Sequence, residues 1–142
     1  MKLYLDLDGT IIHQGFGKVK FINKQIDEIK KAIKGKKLDG ITVISYSVQD
    51  KFDEVWFNNQ IRPTIEKEFK CKADAVVLNE FFETTKIKRV EGKKLFFVTK
   101  AILDGKKEAM VFDDSFDKKE TIETENTTIK LFPIGPRYGL KK

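Results

Sequence analysis

The sequence predicts an α/β domain, a doubly wound parallel sheet of about five strands with helices on its faces. Three observations carry that expectation. Short apolar or β-branched runs alternate with segments whose apolar residues recur every three or four positions. Glycines and prolines punctuate the junctions between them. Two of the apolar runs, LYLDLD at 3–8 and VFDD at 111–114, end in paired acids.

Residues 2–6, KLYLD, form the first strand, with Leu3 and Leu5 on alternate positions. From 22 to 34, Ile22, Ile26, Ile29 and Ile33 step by four, three and four and so line one helical face; Asn23 is the expected cap and Gly35 the stop. After the LDG turn, ITVIS at 41–45 is β-branched enough for a buried strand. Phe52, Val55 and Trp56 give a second helix within 49–60, and Pro63 opens a third that contains Ile65 and Phe69. ADAVVL at 73–78 is the third strand, and no period assigns residues 79–93. Residues 94–104 form a helix that Gly105 ends. EAMVFDD at 108–114 is the fourth strand, and TTIKLFPI at 127–134 is the fifth, followed by a Gly/Pro turn at 135–136.

Bulk properties narrow the function classes. At 142 residues, 40% hydrophobic and 35% charged, residues 1–142 read as a single globular domain with a real core. No apolar run reaches the length of a membrane span. MKLYLDLD has acids where a secretion signal needs an apolar stretch, so no export and a cytoplasmic location are expected. The lone Cys71 has no partner for an internal disulfide and reads as a bystander near a helix end. With His13 the only histidine, and itself a loop residue, a histidine triad or a His/Cys zinc site has little to work with. The net charge of +6, nearly all from lysine, favours anionic partners such as phosphates or nucleic acid.

In a parallel sheet, ligands bind beyond the carboxyl ends of the strands. Asp6 and Asp8 end the first strand, Ser45 the second, and Asp113 with Asp114 the fourth, so all three ends point the same way. Four carboxylates gathered there repel one another. A divalent cation offsets that repulsion, and hard oxygen ligands select Mg2+. Asp6 could then attack phosphorus to form an aspartyl-phosphate, with Asp8 as acid and then base. Gly9 lets the chain turn sharply, Ser45 would hydrogen-bond a phosphoryl oxygen, and a lysine would compensate the remaining charge. The DxDG string also begins a calcium-binding helix–loop–helix. That loop needs an acid or Asn, a Gly and a Glu where this chain has Thr10, Ile11 and Gly17.

LDLDGT resembles the first motif of the haloacid dehalogenase superfamily, whose members are mostly Mg2+-dependent phosphatases. ITVIS is similar to its second motif and VFDD to its fourth, so the resemblance spans residues 1 to about 134. It implies a Rossmann-like, three-layer α/β/α fold, Asp6 as nucleophile and Asp8 as acid/base. It also implies an Mg2+ site made by Asp6, Asp113, Asp114 and the Asp8 main-chain carbonyl. The family's third-motif lysine falls by position on Lys94, ahead of Lys100 and then of Lys86, Lys88 and Lys93. Segment 11–40 has room for one helix and a turn, and 46–93 for two helices and a strand, so no large cap domain is expected. ISYS, VFDDS and ENTTIKLF resemble the capless branch that contains the carboxy-terminal-domain protein phosphatases, from which this chain departs at Gly9.

The function expected from this reading is a phosphomonoester hydrolase with an open site. Suitable substrates are a nucleotide, a polynucleotide end, a phosphoprotein or another large phosphorylated molecule. A phosphotransferase would use the same residues. The alternative is a catalytically weak binding module that contacts nucleic acid or a protein through a basic surface. Lys30, Lys31, Lys34, Lys36 and Lys37 are candidates for that surface, although a solvated helix end explains them more simply. Phe81 and Phe82, close to Lys86, Lys88 and Arg89, are candidates for base stacking, against a simpler core role.

Overall fold

The computed structural model describes residues 1–135; the expected turn at 135–136 reaches Pro136, which lies outside the described residues. The described residues form eight strands and five α-helices: β1 (Lys2–Leu5), β2 (Ile12–Gly15), β3 (Lys18–Phe21), α1 (Asn23–Ala32), β4 (Gly40–Val43), α2 (Lys51–Gln60), α3 (Arg62–Phe69), β5 (Ala73–Ala75), α4 (Leu78–Thr85), α5 (Lys93–Asp104), β6 (Glu108–Asp113), β7 (Glu120–Glu123) and β8 (Thr128–Pro133). A 3-10 turn, Arg89–Glu91, leads into α5. Across the main sheet the order is β5-β4-β1-β6-β8-β7, all parallel except β7, which runs antiparallel to β8 on the edge. The fold is therefore the expected Rossmann-like α/β type, with one strand more in its main sheet than the sequence suggested.

Alternation along the central strands builds two cores, one on each face. Leu3 and Leu5 of β1 and Met110 and Phe112 of β6 pack with Ile26 and Ile29 of α1, Phe57 of α2, and Ile65 and Phe69 of α3. Tyr4, Ala109 and Val111 face the other way, onto Phe81 of α4 and Phe96, Phe97 and Ala101 of α5. A strand places successive side chains on opposite faces, so one short run serves both helix layers. Each fully buried phenylalanine contributes roughly 1.5–3 kcal/mol by leaving water. Phe96 adds edge-to-face contacts with Phe81 at 6.0 Å and Phe82 at 5.1 Å. Phe81 and Phe82 are thus core residues, as their simpler reading held, and not an exposed stacking surface.

Several local expectations need correction. Asn23 is the first helical residue of α1 and not its cap: Ile22 precedes the helix and supplies no side-chain hydrogen bond. The cap that does form belongs to α2, where the Asp50 side chain accepts from the Asp53 N–H at 2.9 Å. The third strand stops at Ala75, because Leu78 already begins α4. The segment 11–40 holds a β-hairpin as well as a helix, with β2 pairing β3 from Ile12↔Phe21 to Gly15↔Lys18. Phe16 and Gly17, both at positive φ (53° and 74°), make its tip.

Candidate active site

Register puts the acids side by side. Leu5 pairs with Val43 on one flank and with Phe112 on the other, so Asp6 emerges level with Asp113, and Ser45 stands two residues beyond the β4 end. The Asp6 N–H donates to the Phe112 carbonyl at 3.1 Å, which extends the β1–β6 ladder up to the acid. Beyond Asp6 the chain closes tightly, with the N–H groups of Thr10, Ile11 and Ile12 all donating to the Leu7 carbonyl at 2.9–3.1 Å. Buried Gln25 of α1 braces this loop, its side-chain amide donating to the carbonyls of Gly9 and Thr10 at 2.8 Å each.

Asp6, Asp113 and Asp114 each offer one carboxylate oxygen, and these three atoms lie within 4.8 Å of one another. Asp6 is 6% exposed and Asp113 1%. Ser115 satisfies Asp113 Oδ1 through its N–H at 2.9 Å and its hydroxyl at 2.8 Å. Asp113 Oδ2 is buried and accepts no hydrogen bond from the described residues. Its neighbour of opposite charge is the Lys93 ammonium at 3.5 Å, which also donates to Asp6 Oδ1 at 2.6 Å. A buried carboxylate oxygen without a donor is costly unless something positive completes its surroundings. Three carboxylates, one of them with an orphan oxygen, fit a small divalent cation. Burial, with Asp113 adding repulsion against the attraction of Lys93, pushes the Asp6 carboxyl up to about 7. Asp114 is raised as well, chiefly by burial.

The Asp8 carboxylate makes its contacts outside this cluster, which leaves the main-chain carbonyl as the group that the family resemblance offers to a metal. Its Oδ1 accepts from Gln14 Nε2 of β2 at 2.7 Å, and its Oδ2 from Ser45 Oγ at 3.4 Å and from the Ser47 hydroxyl. Strand alternation would put residues 6 and 8 on one face; the tight turn that closes on the Leu7 carbonyl breaks that pattern, and β2 reaches Asp8 through Gln14. Ser45 is 1% exposed and accepts from the Ser47 N–H at 3.1 Å, so it orients Asp8 from below. Ser47 and Gln14 went unread in the sequence. The S-Y-S spacing at 45–47 was the only hint of the first, and the hairpin that delivers the second has a weak strand pattern.

The lysine at the site is Lys93; Lys94 is not there. Lys94 Nζ pairs with Glu120 Oε1 of β7 at 2.6 Å, with its side chain 50% exposed. Helical phase decides between them. Phe96 and Phe97 point α5 at the sheet, and Lys93 lies three and four residues before them, on the same face. Lys94 is rotated about 100° away, towards the sheet edge. Lys100 is spent on Asp104 at 3.0 Å. The Lys93 ammonium also lies over the rings of Tyr46 (5.5 Å) and Phe97 (5.3 Å), which leaves its side chain 10% exposed.

Elsewhere the candidates fall away. His13 is exposed on β2, opposite Lys20, and Cys71 is half-buried and unpaired. Lys30 pairs with Glu68 at 3.0 Å and Lys36 with Glu108 at 2.5 Å, as solvated helix-end lysines do. No helix among the described residues is long and apolar enough to cross a membrane. No family model, curated protein or solved structure matches this chain.

Gly9 is fixed by the site. Its φ is +84°, and a Cβ there would meet Asp114 Oδ2 at 2.2 Å. Gly9→Ala combines left-handed strain with displacement of a candidate metal ligand, so it should cost about 1–3 kcal/mol. Thermal melts with and without Mg2+ would read both effects. The variant should melt lower and lose any stabilisation by the ion.

Proposed function

We propose that this protein is an Mg2+-dependent phosphatase that works through an aspartyl-phosphate on Asp6, as the resemblance to the haloacid dehalogenase superfamily implies. The observation that carries the proposal is the pairing of two differently placed acids. Asp6 sits buried among Asp113, Asp114 and Lys93, while Asp8, two residues on, is held apart by Ser45, Ser47 and Gln14. One carboxylate is set against the Lys93 ammonium and two further acids that could hold an ion, and the other stands apart from them, which suits the division of labour of a two-step displacement.

Asp6, Asp113 and Asp114 would hold the cation, with the Asp8 main-chain carbonyl as a further ligand by family resemblance. When bound, Mg2+ supplies charge neutralisation that lets a phosphate approach these acids. In the first step an Asp6 oxygen bonds to phosphorus as the bond from phosphorus to the substrate oxygen breaks. Asp8 gives that departing oxygen a proton. Water then attacks phosphorus, Asp8 takes a proton from it, and the bond from phosphorus to Asp6 breaks, releasing inorganic phosphate. Lys93 stays against Asp6 and compensates the added charge on the phosphoryl oxygens. Without a large cap domain the site is open to a nucleotide, a polynucleotide end or another large phosphorylated molecule.

Purified protein should release phosphate from a generic aryl phosphate in Mg2+, stop in EDTA, and resume on adding Mg2+ back. A panel of nucleotides, oligonucleotide 3′- and 5′-phosphates, sugar phosphates and phosphopeptides would rank substrates. Silence across the whole panel, with Mg2+ present and the protein folded, would remove the proposal.

A further inference from the structure

Arg89 takes no part in the carboxylate chemistry, is exposed, and is nonetheless held in place. Its guanidinium carbon lies 5.3 Å from the centre of the Tyr46 ring and 5.9 Å from that of Phe82. Its Nη2 donates to Gln49 Oε1 at 2.6 Å, and Gln49 Nε2 donates in turn to the Tyr46 carbonyl at 2.9 Å. No carboxylate among the described residues pairs with it. An exposed arginine ordinarily samples many rotamers, and a guanidinium already stacked and tethered loses less freedom when it grips an anion.

The same Tyr46 ring carries the Lys93 ammonium 5.5 Å from its centre. Two cations therefore share one aromatic ring: Lys93 reaches Asp6, and Arg89 is exposed. Tyr46 and Lys93, but not Arg89, line a cavity of about 540 Å³ whose walls also include Phe116, Lys118, Asp117 and Glu120. That volume falls within the range of small-molecule sites, and half-buried Phe116 offers a ring in its wall.

We propose that Arg89 binds a second phosphate of the substrate, so that the molecule acted on is a nucleic-acid end, with its terminal phosphate at Asp6 and the adjoining phosphodiester on Arg89. This rests on the phosphatase proposal and narrows it. The guanidinium fork matches two phosphate oxygens at once. The two cations share the Tyr46 ring, at 5.3 Å and 5.5 Å from its centre, so both can reach one ligand that carries more than one phosphate. The cavity gives the terminal base an aromatic wall, and the net charge of +6 favours a polyanion. A sugar phosphate or a nucleoside monophosphate has one phosphate group and leaves Arg89 unmatched.

The test is steady-state kinetics on 5′-phosphorylated and 3′-phosphorylated dinucleotides, the matching mononucleotides, an aryl phosphate and a singly phosphorylated peptide. The enzymes compared are wild type, Arg89→Ala and Arg89→Lys. Wild type should prefer one of the two dinucleotides to its mononucleotide. For that dinucleotide, Arg89→Ala should raise KM about tenfold or more, shift kcat by less than about threefold, and lower the log–log salt slope by about one. Its effect on the aryl phosphate should be several times smaller, and Arg89→Lys should recover part of the loss. Equal losses on dinucleotide and aryl phosphate would overturn the proposal, because Arg89 would then act only by packing Tyr46 against Lys93. A wild type indifferent to the second phosphate, or a peptide as the substrate whose KM responds, would overturn it too. Dinucleotide binding to Asp6→Asn, with and without Arg89→Ala, needs no turnover. Arg89-dependent binding, when the wild type turns over nothing, would keep the phosphate site on Arg89 and discard the phosphatase; turnover indifferent to Arg89 would do the reverse.

Discussion

Asp6→Asn is expected to lower phosphate release by at least about 10³-fold while raising the melting temperature of the metal-free protein. The first effect follows from removing the atom that attacks phosphorus; loss of a nucleophile from a concerted site costs factors of this size or more. The second follows from charge. The Asp6 carboxyl stands near 7 in the folded chain against an ordinary 3.8, pushed up mainly by burial. Below the ordinary value it is protonated whether the chain is folded or not, and the fold bears no cost. As pH rises towards 7 the unfolded chain releases the proton first, so stability falls, and above 7 the full penalty remains. At about 1.4 kcal/mol per pH unit, the penalty at pH 8 is on the order of 4 kcal/mol at most. Asparagine removes it. Melts of metal-free protein from pH 4 to 8 should therefore slope downward for wild type and less so for Asp6→Asn, which should melt several degrees higher at pH 8. Mg2+ should flatten the wild-type slope. Turnover that survives the substitution would refute Asp6 as nucleophile, and a lower melting temperature at pH 8 would refute the account of its charge.

The second large effect separates adjacent lysines. Lys93→Met should reduce phosphate release by about 10²–10³-fold, because it removes the preset charge against the transferred group. Lys94→Ala should change it by less than about twofold, since an exposed pair with Glu120 contributes little. Lys93 is also a cation among the candidate metal ligands, 2.6 Å from Asp6 and 3.5 Å from Asp113. Taking it away leaves those carboxylates uncompensated, so Mg2+ should bind Lys93→Met at least as tightly as wild type by calorimetry. Lost activity with retained ion binding is the expected signature. A larger loss in Lys94→Ala than in Lys93→Met would show that the helix phase assigned to α5 is wrong.

Read without coordinates, the chain already disclosed its parallel sheet and the strands that end in acids. Those features are local. Alternation within KLYLD and EAMVFDD reports burial over a few residues, and strand–helix alternation forces parallel pairing, which places Asp6, Ser45 and Asp113 at one edge. Less legible was whatever depends on rotation or on contacts between distant segments. β7 is a short edge strand of alternating polar and apolar residues, ETIE, which earns its place only by pairing with β8. Gln25 looks like a surface residue of an amphipathic helix until the loop at Gly9 and Thr10 folds over it.

What the sequence determined by itself was therefore the sheet, its direction and which strand ends carry acids, because hydrophobic period and chain direction are properties of neighbouring residues. Tertiary structure alone decided that Lys93 rather than Lys94 faces Asp6, that Asp8 turns to Gln14 and Ser47, and that Arg89 is pinned beside Tyr46. A one-residue shift turns a helical side chain by about 100°. Only the packing of Phe96 and Phe97 against the sheet fixes where that rotation starts.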